Sequence, residues 1–265
     1  SEMCIRDRGG AVRLANFMYG SYTGLSWTMF MLIPSFTAMF GRSALPQIAG
    51  AWTLGNRNEF ERKVTVVLRS NFVIGFPLYL GLSAMSRQIL EFLFSGRQQE
   101  VSVSATSLFI LGLGGVFLTL SSTFISIFQV IGRSDLPVKL MLPGCAVKLI
   151  FNVFTISVPA ININGAAVST VIMYAAVALG GYFALENVTG IDFHIIRRMA
   201  VPLSAGVVCA VVSRIVYGFV GESVNAAAAL FLPIASGGAV YIILLIIFNE
   251  INLKSLLNRQ KRKKF

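Results

Sequence analysis

One lysine in this sequence lies where a charge is unfavourable. Lys148 is roughly ten residues into an apolar segment of about twenty, close to the expected centre of a bilayer. A lysine at that depth costs roughly 2.5 to 3.5 kcal/mol on insertion scales. Asn152 follows one turn later on the same helix face, and Pro143 loosens the backbone one turn before. The three residues predict a polar notch suited to an anionic group; the alternative is a lysine bonded to carbonyls of a neighbouring helix for packing.

A second polar set lies in the uncharged stretch 17–41. Its hydroxyls recur at i, i+3, i+4 and i+7, which places them on one face of an α-helix; they belong to Tyr19, Tyr22, Thr23 and Ser26. Hydroxyl groups on a lipid-facing surface would lack hydrogen-bond partners, so the pattern predicts a helix that lines a polar cavity. The alternative is a packed helix whose hydroxyls bond to their own carbonyls.

Two further side chains are weaker candidates. Arg69 lies one turn inside the start of its segment, where it could contact a substrate or extend its guanidinium to the membrane interface. Gln129 could line the same path or hydrogen-bond between helices. The lone His194 is expected to be solvated, and the three cysteines have no motif spacing, so we expect no metal site, disulfide or cofactor.

Composition indicates an integral membrane protein. Hydrophobic residues make up 55% of the chain, charged residues 12%, and the mean hydropathy is +0.76, whereas soluble domains carry about 25% charge. The net charge of +11 does not indicate nucleic acid as a partner, because many cations lie in the C-terminal residues. A basic tail at 250–265 is typical of a cytoplasmic membrane edge.

Seven apolar segments predict an all-α, polytopic bundle of about seven transmembrane helices. They span about 17–41, 65–85, 102–131, 138–158, 164–185, 199–219 and 226–248. Lysine and arginine alternate between the loops so that the C-terminus is cytoplasmic. Residues 9–249 are thus expected to form a membrane lobe of a multi-pass protein in the cytoplasmic membrane. Residues 1–8 lack an initiating methionine and an apolar region, and we interpret them as a cloning or sequencing artefact.

A series of motifs covers nearly all of residues 17–186. In order they are YGSYTGLSWTMFMLIP, SALPQIAGAW, VLRSNFVIGFPLYLGL, VIGRSDLPVKLMLPGCAVKLIFNVF and ININGAAVSTVIMY. Together they resemble the C-terminal half of polysaccharide and lipid-linked oligosaccharide flippases. These proteins share a superfamily with the multidrug and toxin extrusion transporters; the nearest branch holds proteins like stage V sporulation protein B and the lipid II flippases.

The resemblance implies one lobe of a two-lobe transporter of fourteen helices, with this chain as helices eight to fourteen. The partners that it implies are a missing N-terminal lobe of the same protein, membrane lipids and a lipid-linked sugar diphosphate, which would cross the membrane by alternating access. Lys148 would then contact the diphosphate.

Two other functions remain open at this point. An ion-coupled drug exporter of the same fold usually needs a buried carboxylate, which the predicted spans lack, although a missing lobe could supply one. An enzyme that acts on polyprenyl-linked sugars needs acids or histidines that converge at one membrane face. The acidic residues here are scattered, so we expect no enzyme.

Overall fold

The computed structural model describes residues 2–42, 44–156, 163–220 and 225–248, and within them the side chains of 2–11, 38–42 and 156 are not described. These ranges contain helices and no strand. In chain order they are α1 (Glu2–Ser21), a π-helical segment (Tyr22–Trp27), α2 (Thr28–Arg42), α3 (Leu45–Thr53), α4 (Arg57–Ala84), α5 (Ser86–Leu93), α6 (Gln98–Val130), α7 (Asp135–Ile156), α8 (Asn164–Thr189), α9 (Ile195–Val220) and α10 (Ala226–Ile247). The predicted basic tail lies outside the described residues.

Six of these helices are long and apolar enough to cross a membrane, namely α4, α6, α7, α8, α9 and α10. They coincide with six of the seven predicted spans. Most begin a few residues earlier than expected, and α4 begins at Arg57 rather than near residue 65. The predicted all-α, polytopic membrane bundle is therefore confirmed.

The first predicted span, 17–41, takes a different form. A continuous helical run covers it, but the π-helical segment Tyr22–Trp27 divides that run into α1 and α2. The wider turn brings the Thr28 hydroxyl onto the carbonyl of Thr23, five residues back, at 3.1 Å. Neither part alone qualifies as a span by length and composition. Helix α1 begins at Glu2, within the segment 1–8 that we interpret as an artefact, and that interpretation stays a prediction.

Two short helices occupy segments that the sequence analysis treated as loops. Helix α3 lies in the basic segment between the first two predicted spans, with Pro46 in its first turn, where a missing backbone N–H costs no hydrogen bond. Helix α5 follows α4 directly after Met85. With nine and eight residues, both are too short to be membrane spans, and both lie at ends of the bundle.

Helix α6 is the centre of the bundle and packs against α4 and α8. Its glycines permit this close approach. A Cβ on Gly112 would lie 2.8 Å from the Ser83 backbone, and one on Gly115 would lie 2.1 Å from the Tyr79 ring. By contrast, a Cβ on Gly20 or Gly24 would meet nothing within 4 Å among the described residues. Close glycine contacts therefore occur on α6, and none occurs at Gly20 or Gly24 of the first predicted span.

Helices α9 and α10 form a pair that packs on α4. The Tyr241 hydroxyl of α10 donates a 2.8 Å hydrogen bond to the Val73 carbonyl of α4. Gly237 approaches α9 so closely that a Cβ there would lie 2.8 Å from the Cys209 carbonyl. The pair is thus fixed to the rest of the bundle through α4.

One end of the bundle is closed by contacts between α4 and the α8–α9 loop. Arg57, at the start of α4, donates from Nη2 to the carbonyls of Thr189 and Gly190. In the same loop the backbone N–H of His194 donates to the Asp192 carboxylate and lowers the pKa of that carboxyl. His194 is exposed, and its Nδ1 lies 2.6 Å from Asp192 Oδ2. The hydrogen bonds of Arg57 therefore join the start of α4 to the end of α8.

Candidate functional site

Lys148 faces an aromatic ring rather than a carboxylate. Its Nζ lies 5.4 Å from the centroid of the Trp27 ring, within the distance of a cation–π contact. Lys148 is half-buried, and the 1.5 Å rise per residue places it about 20 Å from the Asp135 end of α7. Among the described residues no carboxylate forms an ion pair with it. The ring face therefore offsets part of the cost of holding an ammonium at this depth.

The Trp27 ring belongs to a group of aromatic side chains behind Lys148. The ring centroids of Trp27 and Phe30 lie 5.8 Å apart, and Phe30 lies 5.3 Å from Tyr79 and 6.4 Å from Tyr174. Tyr79 is only 1% exposed, and its hydroxyl has no hydrogen-bond partner among the described residues. This aromatic group forms a rigid wall with one unsatisfied hydroxyl inside it.

Polar contacts bring two more predicted residues to the same stretch of α8. The Ser169 hydroxyl donates to Asn152 Oδ1, one turn beyond Lys148 on α7. The Tyr22 hydroxyl lies close to the side chain of Thr170, the next residue of α8. Lys148, Asn152 and Tyr22 are thus assembled where α7, α8 and the π-helical segment meet. We refer to these three residues together with Trp27 as the Lys148 site.

The four predicted hydroxyls of the first span do not share one surface. Tyr22 and Ser26 point into the protein, and the Ser26 hydroxyl donates to the Ser104 carbonyl of α6 at 2.8 Å. Thr23 donates to the carbonyl of Tyr19, one turn back on its own helix. Tyr19 itself is 64% exposed. The stripe is divided because the π-helical turn changes the angle between successive residues from that of an α-helix.

The remaining candidates lie elsewhere. Arg69 is half-buried on α4 and makes interactions of its own. Gln129 is exposed in the last turn of α6, near the end of the bundle where α7 begins. Gln129 forms no hydrogen bond with the Lys148 site among the described residues. Their roles in substrate contact stay predictions.

Helix α7 presents a wide apolar surface beside the Lys148 site. It packs mainly on α8, and its large side chains are exposed on the other faces, among them Leu149, Val153 and Phe154, at 66 to 69%. A small cavity of about 160 Å³ lies between α6, α7 and α8 near Tyr174. The described residues contain no group of three acidic, histidine or cysteine side chains that could hold a metal ion. The arrangement offers one cation, an amide and hydroxyls, which suit binding of an anion.

Sequence reasoning missed the aromatic part of the site. Trp27, Phe30, Tyr79 and Tyr174 come from four different helical elements, and their contacts depend on the packing of the whole bundle. Trp27 also lies off the α-helical stripe of hydroxyls, so periodicity gave no signal for it. The depth of Lys148, its neighbour Asn152 and the hydroxyl of Tyr22 pointed to this place in the molecule, but not to its aromatic side chains.

Comparison with known proteins agrees with this architecture. The profile of the family described as lipid II flippase MurJ matches residues 12–236. The lipid II flippase MurJ of Bacillus subtilis is 23% identical over 221 residues, which cover 80% of this chain and 40% of that protein. An uncharacterized membrane protein of Methanocaldococcus jannaschii is 27% identical over 153 residues, covering 58% of this chain and 29% of that protein.

A solved structure shares the fold. The lipid II flippase MurJ in its inward closed conformation superposes with a TM-score of 0.64 at 15% sequence identity, over 89% of this chain and 47% of that chain. The chain therefore spans less than half the length of these relatives. Because the family profile covers most of its residues, the chain belongs to the lipid II flippase MurJ family.

Proposed function

We propose that this chain forms one lobe of a flippase that moves a lipid-linked sugar diphosphate across the cytoplasmic membrane by alternating access. Membership of the lipid II flippase MurJ family supports the substrate class. The observation that carries the proposal is Lys148, a cation deep in the bundle that faces the Trp27 ring and has no carboxylate partner among the described residues. A second lobe, facing the surface of α7, would complete the transport path.

The Lys148 site has the chemistry that a diphosphate needs. An ammonium that donates to a phosphate oxygen forms a charge-assisted bond, which is roughly twice as strong as a neutral one. The cation–π contact with Trp27 is weaker, about 0.5 to 2 kcal/mol, so an arriving diphosphate can displace it. Asn152 keeps its amide N–H groups as additional donors, because its contact with Ser169 uses Oδ1. The site can therefore exchange an internal contact for a substrate contact without leaving the lysine unpaired.

The chain is proposed to be a transporter and not an enzyme. A flippase returns its substrate chemically unchanged on the other side, whereas a polyprenyl-sugar transferase produces a new glycosidic bond. Mass analysis of the lipid recovered after transport distinguishes the two. By the positive-inside rule we also propose that the C-terminus faces the cytoplasm, which protease accessibility in right-side-out and inverted vesicles tests. The multidrug and sporulation branches of the superfamily stay predictions from the resemblance.

Binding at the Lys148 site can be followed by fluorescence because the chain has two tryptophans, Trp27 and Trp52. Trp52→Phe leaves Trp27 as the single reporter in the chain reconstituted in lipid nanodiscs. We expect a polyprenyl-diphosphate sugar to shift the Trp27 emission saturably, because it withdraws the ammonium from the ring. Polyprenol with no phosphate should produce no saturable shift.

The matched variants in this titration are Lys148→Gln and Lys139→Gln. Lys139 lies on the same helix but is exposed and paired with Asp135 at 2.9 Å, outside the site. The Lys148 variant should lose the saturable shift and the Lys139 variant should keep it. An equal response from both variants, or from polyprenol and the diphosphate, contradicts the proposed site.

A further inference from the structure

A second cavity lies on a different part of the bundle. It has a volume of about 560 Å³ and opens between the C-terminal part of α4, helix α5, the N-terminal part of α6 and the C-terminal half of α9. None of its lining residues belongs to the Lys148 site. Its polar lining includes Ser83, Ser86, Arg87, Gln88, Ser102 and Arg214.

The lining changes from polar to apolar along the helix axes. On α6 it runs from Ser102 to Leu113, and on α9 from Arg214 back to Val207, so both helices change character in the same direction. At 1.5 Å per residue the stretch on α6 covers about 16 Å. This is about half of the roughly 30 Å hydrocarbon thickness of a bilayer. The cavity thus runs from headgroup level to about the middle of the bilayer.

The apolar wall of this cavity is accessible from outside the bundle. Phe109 and Leu113 of α6 are 45% and 47% exposed, and Val207 and Val211 of α9 are 47% and 50% exposed. Helix α5 covers the polar end, where its Phe92 packs edge-on against Phe231 of α10 with ring centroids 6.0 Å apart. An occupant can therefore enter from the lipid side with its polar group under α5.

The polar end holds one cation in excess. Arg87 is balanced by Glu91, because its Nε lies 2.7 Å from the Glu91 carboxylate. Arg214 forms no ion pair or hydrogen bond with the described residues. Gln88 is only 8% exposed, and its Oε1 has no hydrogen-bond partner among the described residues. A buried amide oxygen without a donor is unfavourable by about 1 to 3 kcal/mol, so it needs a donor from an occupant.

We propose that this cavity binds an anionic phospholipid whose headgroup carries a hydroxyl donor, with phosphatidylglycerol as the fitting chemistry. The phosphodiester pairs with Arg214, a headgroup hydroxyl donates to Gln88 Oε1, and an acyl chain lies along Phe109, Leu113 and Val207. A free phosphate satisfies the arginine but leaves the apolar wall uncovered. The site lies apart from the Lys148 site and goes beyond the proposed transport function.

Native mass spectrometry of the chain, released from detergent after mixing with defined lipids, tests this proposal. The lipids are phosphatidylglycerol, phosphatidylcholine with the same acyl chains, and diacylglycerol with inorganic phosphate. We expect phosphatidylglycerol to be retained best, because phosphatidylcholine has no headgroup donor and diacylglycerol has no phosphate. If diacylglycerol is retained as well as phosphatidylglycerol, the proposed phosphate contact is wrong. If inorganic phosphate alone is retained and no lipid is, the occupant of the cavity is not a phospholipid.

The variants are Arg214→Gln, Arg214→Lys and Gln88→Leu, with Arg97→Gln as the matched control. Arg97 is exposed at the same end of the bundle, pairs with Glu100 at 3.3 Å and does not line the cavity. Loss of a charge-assisted bond predicts about a tenfold fall in retained phosphatidylglycerol for Arg214→Gln. Arg214→Lys should keep part of the binding, and Gln88→Leu should remove the preference over phosphatidylcholine. Wild-type retention by Arg214→Gln overturns the site.

Discussion

Ser26 and Ser104 are both fully buried, and the Ser26 hydroxyl donates a 2.8 Å hydrogen bond to the Ser104 carbonyl. The Ser104 hydroxyl donates in return to the Ser21 carbonyl at 3.0 Å. These two bonds tie the π-helical segment to α6 from both of its ends. They fix the direction of Trp27, the last residue of the segment, and with it the ring that Lys148 faces.

Removing either hydroxyl is expected to weaken this attachment. Interhelical hydrogen bonds in membrane proteins contribute about 0.6 kcal/mol on average and up to about 1.7. Ser26→Ala and Ser104→Ala should each lower the thermal midpoint of the purified chain in detergent and broaden the Trp27 emission. Ser35→Ala is the control, since Ser35 is exposed and donates to the Met31 carbonyl of its own helix. A control that lowers the midpoint as much as Ser26→Ala would show that the loss does not come from the bonds between the π-helical segment and α6.

The π-helical segment shows where sequence reasoning stops. The hydroxyl spacing in the stretch 17–41 predicts one face of a regular α-helix. No residue pattern within that stretch indicates the wider turn at Tyr22–Trp27. The turn is held by bonds to Ser104, which is distant in sequence. Long apolar segments were predictable because a span is determined by local composition. The partners of Lys148 were not, because they come from other helices.

The Gly115 contact leads to a stability prediction. Gly115→Ala places a methyl group 2.1 Å from the ring of Tyr79, which is 1% exposed and cannot move away. Overpacking of this kind costs typically 1 to 3 kcal/mol. Gly81→Ala on α4 is the matched control, because its Cβ meets nothing within 4 Å and gains up to about 1 kcal/mol of helix propensity. Thermal unfolding in detergent should therefore separate the two variants; equal midpoints would mean that α4 and α6 can shift apart.

The link between Arg57 and the α8–α9 loop is also testable. Arg57→Gln removes the donor to the Thr189 and Gly190 carbonyls, and limited proteolysis within residues 190–194 should become faster. Gly190 has φ +62, and a Cβ there would lie 2.8 Å from Arg57 Nη2. Gly190→Ala should therefore destabilise by about 1 kcal/mol or more through backbone strain. Arg62→Gln changes an exposed residue on the same helix and should leave the cleavage rate unchanged. Faster cleavage of the Arg62 variant would mean that the loss of a positive charge, not the loss of the Arg57 hydrogen bonds, speeds proteolysis.

The Lys148 site makes the sharpest functional prediction, in a transporter assembled with its second lobe in proteoliposomes. Lys148→Gln should abolish movement of a labelled polyprenyl-diphosphate sugar while expression and thermal midpoint stay near wild type. Lys148→Arg keeps the charge and should retain part of the rate. Trp27→Leu removes the ring that holds the ammonium between transport events. This variant should still bind the diphosphate through Lys148, but it should transport the substrate more slowly than the wild type.

Lys139→Gln is the control for lost positive charge on α7 and should transport at the wild-type rate. Comparing the four variants separates recognition from folding, because only Lys148→Gln should lose transport with an intact midpoint. If Lys148→Gln moves its substrate as fast as the wild type, the lysine is a packing residue whose ammonium rests on Trp27, and the anion must be recognised elsewhere. If its midpoint falls sharply instead, the cation–π contact, about 0.5 to 2 kcal/mol, is the main reason for a lysine at this depth.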